Sequence, residues 1–407
     1  MRISSNTIFD NNVVALGAQQ ARLVQTQQQI ASGRRLLTAA SDPVAATRAL
    51  DVTQADAIIN QQTASRSAAR HTVSLAESTL QSVTTLLQDA RTAAVSAGNG
   101  TLNSSDRATL ATDLSGRLQQ LIGLANATDG TGNYLFSGFQ SKTQPFMDTP
   151  AGVGYFGDDG QRMAQVAATR QLGVSDSGAD VFMRIKTGNG SFVTQAAAAN
   201  AGSGVISAGS VTNPAAVTGN NYSISFAAAV APATGMTYTV SNTTTGLPVP
   251  AVPAVPVPIP YVSGQAISFD GMQFDIQGVP SVGDSFTVAP STNQSVFKTL
   301  SDLITTLNTP VAGANLTNGL NQGLGNLDNA LNNVLNVRAT LGLRLNEIDA
   351  LQVTGDDMSL QLKQTLSQLQ DVDYNKAISD LTQQQTTLQA AQKSFAQVSN
   401  LSLFTYI

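Results

Sequence analysis

Apolar residues recur at both ends of the chain with the spacing of a helix that lies along another helix. Leu381, Leu388 and Phe395 stand seven residues apart, with Gln384, Ala391 and Val398 three residues after each, which is the seam pattern of a coiled coil. The pattern predicts one unbroken helix from about Leu360 to Ile407. Near the start, Leu16, Leu23, Ile30 and Leu37 repeat with the same period, while Gln20, Gln27 and Arg34 dilute the seam positions between them. An isolated helix gains most of its stability by burying an apolar face. Stripes this thin are therefore expected to order only against each other or against further copies of the chain.

Between these ends lie stronger helical signals. Asp42 can cap exposed amides and Pro43 has the fixed φ favoured at a first helical position, so a long helix is expected to start there. Val73, Ala76, Leu80, Val83, Leu87, Ala90 and Ala94 keep a three-four spacing up to Gly98-Asn99-Gly100, which supplies the stop. Ser104 or Ser105 is the expected cap of the next helix, whose Leu110, Leu114, Leu121 and Leu124 share a face. So short a connection makes the two helices antiparallel neighbours. Leu320, Leu324, Leu327, Leu331, Val334, Leu341, Leu345 and Ile348 carry a further seam, interrupted by Arg338.

The period changes in the middle. Tyr222, Ile224 and Phe226 alternate with Ser, and Met236, Tyr238 and Val240 alternate with Thr, as half-buried strands do. Ile267 and Phe269, the turn Asp270-Gly271, then Met272, Phe274 and Ile276 form the clearest hairpin signal. Phe286 and Val288 offer another strand, and Asp180 to Thr194 a further hairpin around Gly188-Asn189-Gly190. Leu247 to Val262 is apolar but carries six prolines, which predicts extended polyproline. The fold class expected is thus α+β: a long antiparallel helical bundle or coiled coil formed by both ends, with an inserted β-rich outer domain. Its parts are terminal helices at 1–42 plus 360–407, a bundle at 43–138 plus 296–359, and the insertion at 139–295 with its Pro-rich segment 247–262.

Composition narrows the function. Charged residues are 12% of the 407, and the net charge is -5, so no basic field exists to hold nucleic acid. Cysteine and tryptophan are absent, which removes disulfide and thiolate chemistry. The first 17 residues lack the apolar core of a cleaved secretory signal, and no run reaches the length of a membrane span. Gly152-Val153-Gly154-Tyr155-Phe156-Gly157 spells a dinucleotide fingerprint, but Asp158-Asp159-Gly160 follows it as a turn where the fingerprint needs a helix. His71 is the one histidine and reads as a helical surface residue. The pairs Asp158-Asp159 and Asp356-Asp357 read as solvated carboxylates in turns. Composition and motifs supply no catalytic, cofactor-binding or metal-binding residue.

Four stretches carry a resemblance: MRISSNTIFD at the start, IASGRRLLTAASDPVAA at 30–46, GNYLFSGF at 132–139, and DVDYNKAISDLTQQQTTLQAAQKSFAQVSNLSLFTYI at 371–407. Together they resemble the bacterial flagellar hook-associated proteins of the flagellin-like family, and within it the hook-filament junction type. The resemblance implies an exported, extracellular, non-enzymatic structural subunit needed for filament assembly and motility. It implies a ring of copies of the chain, another hook-associated protein on the hook side, flagellin on the filament side, and the flagellar export apparatus with an export chaperone. It also implies that the two ends pair as the inner layer of a tube. The expected assembly residues are Leu16, Leu23, Ile30, Leu37, Leu381, Leu388, Phe395, Val398, Leu401, Leu403 and Phe404. A flagellin-type filament subunit, and an exported coiled-coil protein whose β domain binds a ligand, are the alternatives that the residues leave open.

Overall fold

A computed structural model describes residues 5–230, 234–250, 257–309 and 313–400. Six α-helices are described: α1 (Ser5–Ser32), α2 (Pro43–Ala97), α3 (Ser104–Ala125), α4 (Val296–Asn308), α5 (Ala314–Gln370) and α6 (Tyr374–Asn400). Between α3 and α4 sixteen short strands occur among the described residues. They are β1 (Phe146–Thr149), β2 (Gly152–Tyr155), β3 (Met163–Ala167), β4 (Arg170–Gly173), β5 (Ile185–Lys186), β6 (Phe192–Ala196), β7 (Val205–Ile206) and β8 (Ser210–Val211). The series continues with β9 (Tyr222–Ala228), β10 (Met236–Asn242), β11 (Leu247–Val249), β12 (Ile259–Pro260), β13 (Ala266–Phe269), β14 (Met272–Gln277), β15 (Ser285–Pro290) and β16 (Asn293–Gln294). The α+β architecture of long terminal helices and an antiparallel β-rich middle is the one expected. The chain divides into two compact units, residues 1–65 with 350–407 and residues 66–349.

In the larger unit the helical seams do what their spacing requires. Val73, Leu80, Val83, Leu87, Ala90 and Ala94 of α2 meet Leu114 and Leu121 of α3 and Leu320, Leu327, Val334 and Leu341 of α5 in one buried core. Arg338, the break in the α5 seam, turns to Glu77 at 2.7 Å and to the Thr84 hydroxyl at 3.3 Å. Its charge is thereby paired instead of orphaned. Asp42 caps α2 through the Ala45 amide at 3.0 Å. The cap of α3 is neither serine but Asn103, because Asn103 and Asp106 close a reciprocal capping box. Asp356 and Asp357 lie mid-helix in α5 and are exposed, so they are not turn residues.

The strand-rich middle does not enter as one block. Phe146 of β1, Val181, Phe182 and Ile185 belong to the helical core. There Phe182 meets Phe136 and Phe146 edge-on at ring separations of 5.4 Å each, and Phe297 of α4 lies 5.1 Å from Phe146. The expected hairpin over Asp180 to Thr194 is not formed. Ala179–Met183 winds into a π-helical turn, β5 pairs with β16, and β6 pairs with β15. Phe182 and Phe192 belong to two different cores, so the segment between them cannot fold back on itself. The Asn189 turn survives, its carboxamide oxygen accepting the Ser191 and Phe192 amides at 3.0 and 2.9 Å.

Beyond β5 the chain builds a sandwich. One sheet has the order β11-β10-β9-β15-β6, with β12 also on β10, and the other runs β13-β14-β7, with β8 also on β14. Between them lie Phe192, Tyr222, Ile224, Phe226, Val240, Phe274, Ile276, Phe286 and Val288. The Asp270-Gly271 turn forms as expected, with φ of 44° and 74° and Phe269 opposite Met272. These are the angles a two-residue hairpin turn needs. The proline-rich segment differs from expectation where it is described. Leu247–Val249 and Ile259–Pro260 are edge strands on β10, a position that tolerates proline because its missing amide faces no partner. Residues 251–256 lie outside the described residues.

Asparagines of α5 tie these strands down. Asn333 donates to the carbonyls of Asp180 and Val181 at 2.8 and 2.9 Å, and Asn329 to those of Lys186 and Gly188 at 2.9 and 2.8 Å. Asn326 accepts the Gly188 amide at 3.0 Å, and Asn318 accepts the Ile206 amide at 3.0 Å while donating to Gly204 at 2.9 Å. Irregular backbone packed on a helix would otherwise hold orphaned polar groups.

Within the GNYLFSGF stretch, Asp158 accepts the amides of Phe139 and Gln140 at 2.9 Å each and of Gly160 at 2.7 Å. Gly138, at φ 72°, leaves no room for a Cβ beside that carboxylate. The Phe139 amide foremost, joined by the Gly160 and Gln140 amides and against the opposing effect of burial, holds the Asp158 carboxyl below the usual carboxylate range.

Two outcomes are expected. Replacing 188–290 by a short Gly-Ser connection should retain helical circular dichroism and a cooperative melt, because β5 and β16 close the neck and Thr187 donates its amide to Thr292 at 3.0 Å. Replacing 139–295 should abolish that melt, since Phe146 and Phe182 leave the core. The second outcome concerns pH. A lowered folded-state pKa contributes stability that is present above the unfolded value and lost as pH falls through the folded one. The Phe139 and Gln140 amides should thus keep their exchange protection at neutral pH and lose it only below the ordinary carboxylate range. Loss of protection near neutrality would contradict the assignment.

Candidate assembly interface

In the smaller unit α1 and α6 lie in contact with each other. Leu16, Leu23 and Ile30 on α1, and Leu381, Leu388 and Phe395 on α6, are all half-buried. Phe395 packs on Phe9 with ring centroids 5.2 Å apart. Among the described residues of these two helices, Thr26 and Ala377 alone are fully buried, at 7% and 6% exposure. The Thr26 hydroxyl turns inward and donates to the Arg22 carbonyl at 3.1 Å. Gln384 has a buried side-chain oxygen without a hydrogen-bond partner among the described residues. The expected seam is therefore present in the chain and only partly covered by it.

Several expectations for this region change. Leu37 is half-buried but does not continue the α1 stripe, because α1 ends at Ser32 and Gly33 takes a φ of 69°. The expected unbroken helix from Leu360 is interrupted at Asp371–Asp373. There Asp371 accepts from the Ser367 hydroxyl, and Asp373 begins α6 by accepting the Lys376 amide at 3.2 Å. Val398 lies within α6, its side chain outside the described residues, and Leu401, Leu403 and Phe404 lie outside them altogether.

The two interruptions meet. Arg34 and Asp371 form an antiparallel bridge. The Arg35 amide donates to the Gln370 carbonyl at 2.7 Å and the Val372 amide to the Gly33 carbonyl at 3.0 Å. The Arg35 guanidinium donates to the Leu369 carbonyl at 2.8 Å, across 334 residues of sequence, and Gln29 donates to the Arg35 carbonyl at 2.8 Å. This clasp fixes α1 against α6. Periodicity could not reveal it, although Gly33 and the acidic break Asp371-Val372-Asp373 are its traces in the sequence.

Sequence reasoning also missed a fringe of bare apolar side chains beside the seam. Val14 is 71% exposed, Ile378 54%, Val24 48% and Val13 47%. With Phe9 they line the same two helices. Apolar side chains left bare on one pair of helices are a candidate contact surface. Val14, Val24 and Ile378 lie off the seven-residue register, and Val13 stands on it, seven residues before Gln20.

The chemical candidates found no site. His71 is exposed on α2. Gly152 to Tyr155 is a strand paired with β1, with no helix after it. No group of His, Cys, Asp and Glu able to hold a metal occurs among the described residues, and none of the described helices is long and apolar enough to cross a membrane.

Comparison with known proteins gives a consistent result. Residues 3–141 match the bacterial flagellin N-terminal helical region, and residues 324–407 the bacterial flagellin C-terminal helical region. Flagellar hook-associated protein 3 of Salmonella typhimurium is 31% identical over 409 residues, covering 99% of both chains. The crystal structure of flagellar hook associated protein-3 from Legionella pneumophila is similar with a TM-score of 0.73 at 35% identity, over 78% of this chain and 98% of that one. A crystal structure of the flagellar junction protein FlgL from the same organism gives 0.72 at 34%, over 80% and 100%.

The clasp predicts the effect of one substitution. A Cβ at Gly33 would sit 3.0 Å from the Tyr374 hydroxyl and in a left-handed backbone, so Gly33→Ala should cost about 1 kcal/mol locally. In the state where α1 and α6 are paired, hydrogen exchange at the Val372 amide should accelerate while amides of the α2 core stay unchanged; unaltered Val372 exchange in that state would show that the clasp contributes nothing.

Proposed function

The chain belongs to the flagellar hook-associated protein 3 family, whose ends are flagellin-type helical regions, and from that premise we propose that it is a structural subunit of the bacterial flagellum, forming the junction between hook and filament. The observation that carries the proposal is the pair α1 and α6, whose seam is half-covered and fringed with bare apolar side chains. Such a surface needs a neighbour, and in a ring of copies every chain supplies one. The likeness to hook-associated protein 3 runs through the strand-rich middle as well as the ends, which favours the junction over a filament subunit. In this reading the chain works by contact and catalyses nothing. It acts outside the cell, after passing the export apparatus with the help of a chaperone, and it lies between another hook-associated protein and flagellin.

We further propose that the seam residues Leu16, Leu23, Ile30, Leu381, Leu388 and Phe395, together with Leu37, Val398, Leu401, Leu403 and Phe404, complete their burial only in the ring, and that α1 and α6 are disordered before assembly. Full burial of a leucine or phenylalanine contributes about 1.5–3 kcal/mol, and a half-covered seam leaves a large part of that to neighbours.

Leu388→Asp or Phe395→Asp removes this burial and adds the cost of desolvating a charge. The variants should melt like the parent as monomers, because the core of α2, α3, α4 and α5 is untouched, yet assemble no junction and leave complemented cells non-motile. Normal swimming would refute the assembly role, and a collapsed monomer melt would place this helix in the monomer's own core. Slow amide exchange across Leu16 to Ile30 in the monomer would sink the proposed disorder.

A further inference from the structure

The open side of the β-sandwich carries a cleft that the junction role does not use. It lies where β11 and β12, at the edge of one sheet, face β13, at the edge of the other, and it holds about 600 Å³. That size falls within the range of small-molecule sites, about 300–1,000 Å³. One wall is apolar and includes Leu247, Pro248 and Ile259, and the rings of Tyr238 and Phe269 line the same space. The opposite end is polar. Tyr222 donates to Asp270 Oδ2 at 2.5 Å and accepts from the Thr218 hydroxyl at 2.6 Å. Asn220 stands beside them on the rim.

Two groups have unused capacity. The second oxygen of Asp270 accepts no hydrogen bond among the described residues. The Tyr238 hydroxyl has no partner there either, although burial pushes its phenol up from the ordinary range. A partly buried hydroxyl and carboxylate oxygen left open beside aromatic faces favour a ligand that brings hydroxyl groups of its own. Among the described residues no Lys, Arg or His lines the cleft, which disfavours phosphates and acidic sugars. A single carboxylate is too little to hold a cation. An entirely apolar ligand would leave the polar end unsatisfied.

We propose that this cleft is a binding site for a neutral saccharide, with the sugar faces against Tyr238 and Phe269 and the sugar hydroxyls bonded to Asp270, Tyr238 and Asn220. The site rests on the sandwich alone, so its success or failure is independent of the junction assignment.

The test uses the full chain, titrated calorimetrically with cellotriose, maltotriose, mannotriose and chitotriose, alongside Asp270→Asn and Tyr238→Phe. Asparagine is at home in the left-handed turn position that Asp270 occupies, and Tyr238→Phe keeps the ring, so both variants should melt like the parent. At least one sugar should bind with a dissociation constant below about 1 mM, and each variant should weaken it by roughly tenfold through loss of one or two hydrogen bonds. If no sugar in the panel binds, or if both variants bind as the parent does, the proposal is overturned. Should Asp270→Asn melt early, Tyr238→Phe decides alone.

Discussion

Four phenylalanines from four separate segments hold the larger unit together. Phe136 comes from the loop after α3, Phe146 from β1, Phe182 from a π-helical turn and Phe297 from α4, and all four are buried. They meet mostly edge-on or tilted, in arrangements that aromatic rings favour beyond their buried area. Around them the helical core and the first part of the strand-rich middle, from β1 to β5, become one folded object. The asparagines of α5 complete the attachment by giving partners to carbonyls and amides that the irregular backbone leaves over. Apolar contact supplies the cohesion here, and the carboxamides set where each loop crosses the helix.

Local signals in the sequence were reliable where one element decides its own structure. The seams of α2, α3 and α5 were legible because three-four spacing has one structural meaning, and the Asp270-Gly271 turn because few residues accept its backbone angles. The misreadings lie where two distant parts compete for a segment. Asp180 to Thr194 has the composition of a hairpin, but Phe182 and Phe192 are claimed by different cores. The ends of the proline-rich segment are edge strands because β10 offers them hydrogen bonds that polyproline lacks. The asparagines of α5 read as ordinary helix-surface residues until the backbone they serve is folded against them.

The terminal seam was legible in its spacing and not in its depth. Leu23, Leu388 and Phe395 could be placed on a stripe, but how far a stripe is buried depends on everything that packs beside it. Val14 and Ile378 show the same gap in knowledge from the other side. They lie off the register, so periodicity gave them no role, yet their exposure distinguishes a finished pair of helices from an unfinished one. A monomer that satisfied these residues internally would have less to gain from a neighbour, so their incomplete burial is what the proposed assembly draws on.

The clasp between Arg34, Arg35 and the segment Leu369 to Val372 also imposes an order in time. A contact between residues 334 apart in sequence can form only after both partners have been made. During synthesis the N-terminal half of the clasp finds no counterpart until almost everything else has been made. The pair α1 and α6 is consequently the last feature to be completed, and the growing chain carries its two halves apart until then.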